Sequence, residues 1–484
     1  MPALHVRAQR VCFSFANHVL LNDVTFHLTR GWTGLVGANG TGKTTLLRLL
    51  LGELTPTTGQ LRIEPDGARV AWCAQRVEAM APLIGDFSSA NDRLARQLCG
   101  RLGLRPNTLA RWPTLSPGER KRWQLGAVLW TQPEVLLLDE PGNHLDVEGL
   151  GLLREALEGF GGVGVLVSHD RALLDDVTHA TLRLDAGTAR QWPHAFSSAR
   201  ALWLGDEAAR RDSQRETQRK LQQQERRLDA SRRTLASSER SRSAGARMKS
   251  RHDSDARAMG QDLRAQNAER AHTAAAQRVE RKVEAVREAL GQIDVRDPAG
   301  QALFLRYEPC PHQTVVQFTG LVLGSEVALQ LRRDEHTWVS GPNGSGKTTL
   351  LRLALDGCKV PDERRLLLPQ ELTLAESKAD LSTLRELAEE QRGRVLQLVH
   401  ALGVEPEQLL HTDEPSPGEA RKLRLALGLG RNCWLAVLDE PTNHLDLPAI
   451  ERLEVALREF PGALLLVTHD ERLGAAVTTR RIAL

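Results

Sequence analysis

The chain is short of cysteine and has no long apolar run. Its six cysteines (Cys12, Cys73, Cys99, Cys310, Cys358, Cys433) lie far apart and form no Cys-x-x-Cys pair. Neither a disulfide framework nor a cysteine zinc site is indicated. The longest apolar runs, such as Val135 to Leu138 and Ala463 to Val467, are strand-length, far from the ~18 residues of a membrane span. The opening residues Met-Pro-Ala-Leu-His-Val-Arg lack the apolar stretch of a secretory signal. A reducing, cytoplasmic setting is expected. A large charge of one sign is also missing, since the net is only +3, so the whole is no polycation.

What is present is ordinary in bulk and unusual in arrangement. The 41% hydrophobic and 26% charged fractions suit a globular protein, and 484 residues have room for two or three domains. One set of motifs occurs twice in the same order. Gly37-Ala38-Asn39-Gly40-Thr41-Gly42-Lys43-Thr44 returns as Gly341-Pro342-Asn343-Gly344-Ser345-Gly346-Lys347-Thr348, an offset of 304. Ser116-Pro117-Gly118-Glu119, Leu138-Asp139-Glu140-Pro141 and Ser168-His169-Asp170 return 300 residues later, at Ser416, Leu438 and Thr468. Around these motifs, short apolar runs (33–37, 135–139, 163–168, then 435–439 and 463–468) alternate with helical patterns such as 43–51 and 118–130. That alternation predicts an α/β fold with a largely parallel sheet, present twice.

Between the copies the texture changes. Residues 205–293 are rich in Arg, Gln, Ser and Ala and nearly free of aromatics. Leu221, Leu228 and Leu235 form one helical seam, and Val279, Val283, Val286 and Leu290 another, with a polar stretch at 237–260 between them. Two antiparallel helices joined by a tip are expected, each reaching about 45 Å at ~1.5 Å per residue. From Ala209 to Ala265 there are 16 basic and 8 acidic residues, leaving −5 on the rest. Such asymmetry points to a polyanion at this segment, although a charged helix can also simply be solvated. The expected domains are therefore 1–204, a basic helical linker at 205–293, and 294–484.

Each motif carries identifiable chemistry. Gly37, Asn39, Gly40 and Gly42, and Gly341, Asn343, Gly344 and Gly346, belong to loops whose backbone N–H groups cradle phosphates at a helix N-terminus. Lys43 and Lys347 are expected on the β and γ phosphates, Thr44 and Thr348 on Mg²⁺, and Thr45 and Thr349 beside them. Asp139 and Asp439 end apolar strands and can hold Mg²⁺ through water. Glu140 and Glu440 are the natural general bases for an attacking water. His169 and His469 are placed to sense the γ phosphate. Gln75 and Gln370 follow strands and are expected to reach Mg²⁺ and the lytic water. Ser116 with Gly118, and Ser416 with Gly418, make a further anion site at a helix start, for which the same module supplies no phosphate. Head-to-tail pairing, in which each serine loop closes over the nucleotide of the other copy, resolves this.

With these residues in view, the chain resembles an ATP-binding cassette protein carrying both cassettes on one polypeptide. Leu115-Ser116-Pro117-Gly118-Glu119 resembles the cassette signature, and Glu440-Pro441-Thr442-Asn443-His444-Leu445-Asp446 the D-loop. Without membrane spans and with a charged helical linker, it is most similar to the F subfamily, cassette proteins of the ribosome. The resemblance implies two tandem P-loop NTPase domains joined by an α-helical hairpin. It implies one site of Lys43, Thr44, Gln75, Asp139, Glu140 and His169 with Ser416 and Gly418, and another of Lys347, Thr348, Gln370, Asp439, Glu440 and His469 with Ser116 and Gly118. Phe15 stands where the family stacks an aromatic on adenine; near Phe318 no such match is evident. Pro415 replaces the usual signature leucine, and Gly142 the D-loop threonine. Both glutamates persist, so two hydrolysis-competent sites are expected.

The interval from Gln75 to Leu115 matches its counterpart in length, so the helical arm many members insert there is not expected. Leu484 closes the second cassette, which speaks against the branch with a terminal DNA-binding coiled coil. The resemblance implies an ATP- and Mg²⁺-dependent monomer that binds the ribosome's tRNA exit site when closed and is released on hydrolysis. The linker would reach toward P-site tRNA and the peptidyl-transferase centre. Arg232, Arg233, Arg240, Arg242, Arg247, Lys249 and Arg251 would meet RNA phosphates. General translation and antibiotic resistance both remain open. The alternative is the energising subunit of a membrane transporter. A DNA-repair cassette ATPase is disfavoured, because zinc modules and very long coiled coils are missing.

Overall fold

The computed structural model describes residues 4–15, 18–75, 77, 79–143, 145–245, 277–284, 307–323 and 325–484. The first cassette runs β1 (His5–Phe15), β2 (His18–Thr29), β3 (Gly31–Val36), α1 (Lys43–Leu50), β4 (Thr58–Glu64), β5 (Val70–Cys73), α2 (Pro82–Ser89), α3 (Arg93–Arg101), α4 (Pro117–Trp130), β6 (Val135–Asp139), α5 (Val147–Glu158), β7 (Val163–Val167), α6 (Arg171–Val177), β8 (Ala180–Asp185) and β9 (Thr188–Trp192). The helix α7 (Phe196–Gly245) follows, and residues 277–284 are helical (α8). The second cassette runs β10 (Thr314–Val322), β11 (Ser325–Arg332), β12 (His336–Ser340), α9 (Lys347–Asp356), β13 (Arg365–Leu368), α10 (Leu374–Glu386), α11 (Glu389–Ala401), α12 (Pro406–His411), α13 (Pro417–Leu429), β14 (Leu435–Asp439), α14 (Leu447–Arg458), β15 (Ala463–Val467), α15 (Glu471–Val477) and β16 (Arg480–Ala483).

Each cassette has a parallel sheet, ordered β5-β6-β7-β3-β8 in the first and β13-β14-β15-β12-β16 in the second; β9 adds an antiparallel edge to the first alone. β6, β7, β14 and β15 are buried along their whole length. Strands covered on both faces read as continuous apolar runs, which is why the sequence announces them. An antiparallel sheet, β2-β1-β4, packs its Val6, Phe13, Phe26 and Leu28 into one core with Leu35, Val135, Val165 and α1's Leu46 and Leu47. Its counterpart is trimmed to β10 and β11, and a single bridge between Val316 and Cys358 stands where β4 would pair.

The trimming reaches the hairpin tip. Val6 pairs with Leu28 and Val316 with Leu331, so the second hairpin is seven residues shorter. Phe318 sits in mid-strand opposite Leu329, at the level of Ala8 opposite Phe26, so it is no counterpart of Phe15. Leu321 and Leu323 at the shortened tip are each 69% exposed.

The chain divides into two compact units, residues 200–298 and residues 1–199 with 299–484. The long helix begins at Phe196 rather than near Gly205, because Phe196 and Ala199 are fully buried and anchor its first turn. It runs unbroken to Gly245, through residues 237–245 where the sequence pattern suggested a tip; its 50 residues reach about 75 Å at ~1.5 Å each. Leu228 and Val283, one from each expected seam, are both buried. Arg247, Lys249, Arg251 and most of the expected tip lie outside the described residues.

Candidate functional site: two nucleotide clefts

Both phosphate loops sit at the carboxyl end of the sheet, where α/β folds bind ligands. Gly42 and Gly346 take φ of 96° and 91° as the N-caps of α1 and α9, and Gly40 and Gly344 take 79° and 80° with open space where a side chain would point. An L-residue strains at these angles. The Lys43 ammonium donates to the carbonyls of Gly37 and Ala38 at 2.8 and 2.9 Å, and Lys347 to those of Gly341 and Pro342 at the same distances. Burial pulls both ammonium groups below their usual range. Each hooks onto its own loop, the place from which it can turn to a phosphate.

The threonine hydroxyls meet the strand-end aspartates as the sequence requires. Thr44 Oγ1 donates to Asp139 Oδ2 at 2.9 Å, and Thr348 Oγ1 to Asp439 Oδ2 at 2.7 Å. Burial raises both carboxyls above the ordinary value. The next residues, Glu140 and Glu440, are held at φ 49° and 48°. Non-glycine residues at such angles store strain, which persists where the surroundings over-determine it. Their N–H groups donate to Val167 and Val467 at 2.9 Å, and Oε2 of each accepts from the backbone of His169 or His469 at 3.2 Å. The other oxygen, Oε1, is buried and takes no hydrogen bond in either copy, its neighbour being the ring Nε2 of His169 or His469. Burial, foremost, raises Glu140 to about 7 and Glu440 to about 8. It lowers His169 to about 3 and His469 to about 4, Lys43 and Lys347 adding their repulsion. The His169–Glu140 and His469–Glu440 contacts of 3.2 and 3.3 Å are therefore neutral imidazoles beside carboxyl groups, not ion pairs. A buried, unpartnered carboxyl oxygen that titrates near neutrality suits an acceptor for a water proton.

Asn39, Gly40, Gly42, Lys43, Thr44, Thr45, Gln75, Asp139, Glu140 and His169 line one cleft of about 280 Å³, with Leu20 from β2. Phe15 lies outside that lining, 51% exposed and edge-on to Phe13 at 4.9 Å. Ser416 and Gly418 do not line it either. Each signature serine caps its helix, accepting from Glu119 N at 3.2 Å or Glu419 N at 3.3 Å. Its hydroxyl donates to the same glutamate's carboxylate at 2.8 and 2.7 Å. The glutamate ending each signature thus occupies the anion position at its own helix start.

Sequence reasoning missed the residues that cross between cassettes. Asp446 Oδ2 accepts from Asn39 N at 2.7 Å and Asp146 Oδ2 from Asn343 N at 3.1 Å, while Oδ1 of each caps α14 or α5. Their recurrence at offset 300 was the available signal. Arg171 donates to Glu454 at 2.7 Å and lies 3.5 Å from Asp470, and Arg472 donates to Asp175 at 2.6 Å. Those arginines carry no repeat and gave no signal.

The fit to a nucleotide is supported by the open glycine loop, the Thr–Asp pairs and the orphaned glutamate oxygen. Mg²⁺ bound at Thr44 and Asp139, or Thr348 and Asp439, would supply neutralisation of phosphate charge. Fold and paired sites define a tandem-cassette ATPase. A family model described as "ABC transporter" matches residues 21–143 and 325–443. The chain is 31% identical over 559 aligned positions to the tylosin resistance ATP-binding protein TlrC of Streptomyces fradiae, covering 100% of this chain and 98% of that one. It is 29% identical to the ribosome protection protein VmlR of Bacillus subtilis (90% and 78% covered). It is 26% identical to the energy-dependent translational throttle protein EttA of Escherichia coli (94% and 87% covered). Among solved structures, RNase-L Inhibitor matches with TM-score 0.57 at 17% identity, over 99% of this chain and 87% of that one, which speaks to fold alone. The chain belongs to the ABC-F family of ATP-binding cassette proteins and hydrolyses ATP. Among the described residues, no helix is long and apolar enough to cross a membrane.

Proposed function

We propose that this ATPase acts on the ribosome in the cytoplasm as a monomer, closing with ATP, binding at the tRNA exit site and leaving on hydrolysis. The observation that carries the clamp is the reciprocal pair of cross-cassette bonds, Asp446 to Asn39 and Asp146 to Asn343. Each phosphate loop is touched by the opposite cassette, so nucleotide at either loop bears on the pairing. In each site the lysine and loop amides bind phosphate, and Thr, Asp and Gln (Gln75 or Gln370) hold Mg²⁺. Glutamate takes the proton of the attacking water, and histidine orients the γ phosphate. Ser116 with Gly118, and Ser416 with Gly418, complete the opposite site when the serine turns from its glutamate to the phosphate. The ribosome reading is supported by relatives bearing the names of a ribosome protection protein, a translational throttle and a tylosin resistance protein. The basic run from Ala209 to Ala265 offers rRNA and P-site tRNA a counter-charge.

The test is sedimentation of the full chain with ribosomes. Pelleting with a slowly hydrolysed ATP analogue and not with ADP, weakening as salt rises, is the expected result. Equal recovery free of ribosomes in both nucleotides, or recovery with membranes, would overturn it. Growth of an expressing host across drugs of the peptidyl-transferase centre separates resistance from general translation.

The two clefts are expected to differ in their grip on adenine. Phe15 is half exposed and placed to stack, whereas the shorter second hairpin offers Leu321 and Leu323 among the described residues. Phe15→Ala should weaken ATP at the first site about tenfold, in line with roughly 1–3 kcal/mol for base–aromatic stacking, and leave the second unchanged. Titration with a fluorescent ATP analogue, one site at a time, checks this.

A further inference from the structure

The helix α13 is capped by Ser416 and carries a buried cation five residues after it. Arg421 is 2% exposed. Its Nη1 donates to the carbonyls of Pro369 and Gln370 at 2.9 and 2.7 Å, and its Nη2 to those of Asp439 and Glu440 at 3.3 and 2.6 Å. Burial lowers its guanidinium to about 10, which leaves it charged at neutral pH. One fork therefore ties together the segments carrying Gln370 and Glu440, both of the second site. The carbonyl gripped most tightly belongs to Glu440, the residue held at φ 48°. Lys121 stands in the same place of the first copy. Its ammonium reaches the carbonyls of Ala74, Gln75 and Asp139, the last two at 3.4 Å. A lysine presents one compact ammonium in place of a two-armed fork, and the Glu140 carbonyl is not among the three it reaches.

We propose that Arg421 is a positioning residue that holds Glu440 and Gln370 from the helix whose N-terminus closes the first nucleotide site, so that nucleotide at the first site sets the geometry of hydrolysis at the second. Lys121 makes the converse link with a looser grip, and the two sites are coupled unequally. This rests on the reading that Ser416 completes the first site. A hydrogen-bonding fork fixed at four carbonyls transmits a shift of the helix directly to the strained backbone. Misplacing a catalytic group by about 1 Å can cost ~100-fold.

The experiment uses the full chain in two backgrounds. Glu140→Gln leaves hydrolysis to the second site, and Glu440→Gln leaves it to the first. Arg421→Met in the Glu140→Gln background should lower kcat about tenfold or more with KM within about threefold, as expected when positioning and not binding is lost. Arg421→Lys should recover part of that loss. In the Glu440→Gln background the same changes should cost at least about fivefold less than in the other. Equal losses in both backgrounds, a loss confined to KM, or no loss would overturn the proposal. Where Arg421→Met lowers Tm by unfolding the chain, Arg421→Lys alone is read by the same comparison. A parent with no turnover before Arg421 is touched would overturn the two-site reading itself, and the proposal with it.

Discussion

The double variant Glu140→Gln/Glu440→Gln should lose ATP turnover by about 10²–10⁴-fold, the usual worth of a general base, and still bind ATP. Glutamine fills the same volume and keeps an acceptor for the His169 and His469 amides, so the clefts are preserved. What it removes is the buried carboxyl group that in each site is raised to near neutrality. The same substitution predicts a pH signature in the nucleotide-free protein. A glutamate ordinarily ionises near 4.5; in the fold the two are raised to about 7 and about 8. Between 4.5 and those values the native state retains protons that the unfolded chain has released. Native stability is thus lost as pH rises through that window and levels off above about 8. The variant carries no such penalty. Its Tm relative to the parent should climb between pH 5 and pH 8, readable by scanning fluorimetry; a constant difference would sink the assignment of those raised values.

Reversing one charge at the cassette boundary should have the next largest effect. Arg171 is almost buried against Glu454 and Asp470, its guanidinium favoured in charged form by both. At the repeat offset its counterpart is Glu471, and the counterpart of Glu454 is Arg154. The charges are exchanged between copies. Pairing like copies would set Arg171 against Arg154, or Glu471 against Glu454, while pairing unlike copies sets opposite signs together. Arg171→Glu should therefore cost about 3–5 kcal/mol of cassette pairing, the range for breaking a buried ion pair, and lower turnover, as the proposed completion of each site by the opposite cassette requires. Adding Glu454→Arg should restore part of it. The rescue is incomplete because Asp470 then faces a glutamate and the 2.8 Å pair of Arg458 with Glu454 is lost. A double-mutant cycle on Tm and turnover should give about 1–3 kcal/mol of coupling; additive losses would mean the pair does not hold the cassettes together.

Particular elements show how far sequence alone could reach. β6, β7, β14 and β15 were legible because buried parallel strands are uninterrupted apolar runs. The start of α7 was not, since Phe196 and Ala199 declare themselves only once a cassette surface covers them. Near Phe318 the sequence offered no match to Phe15, and the register of β10 on β11 gives the reason: the hairpin is seven residues shorter and lacks that position. The signature serines were read as anion ligands, and the capping boxes show Glu119 and Glu419 already holding their hydroxyls.

The sequence by itself determined the two phosphate loops, the aspartate–glutamate pairs that end their strands, and their order, because these depend on local backbone geometry and recur in register. Tertiary structure alone decided which residues join the cassettes, Asp446 on Asn39, Asp146 on Asn343 and Arg171 on Glu454, and, within the second cassette, how the Arg421 fork ties two strand ends. Such contacts join residues that are distant in the chain and that only the folded structure brings together. Their energy comes from desolvated charge and aligned carbonyls, which have no helix or strand period to read along the chain; Asp146 and Asp446 are marked, by recurring with the copies.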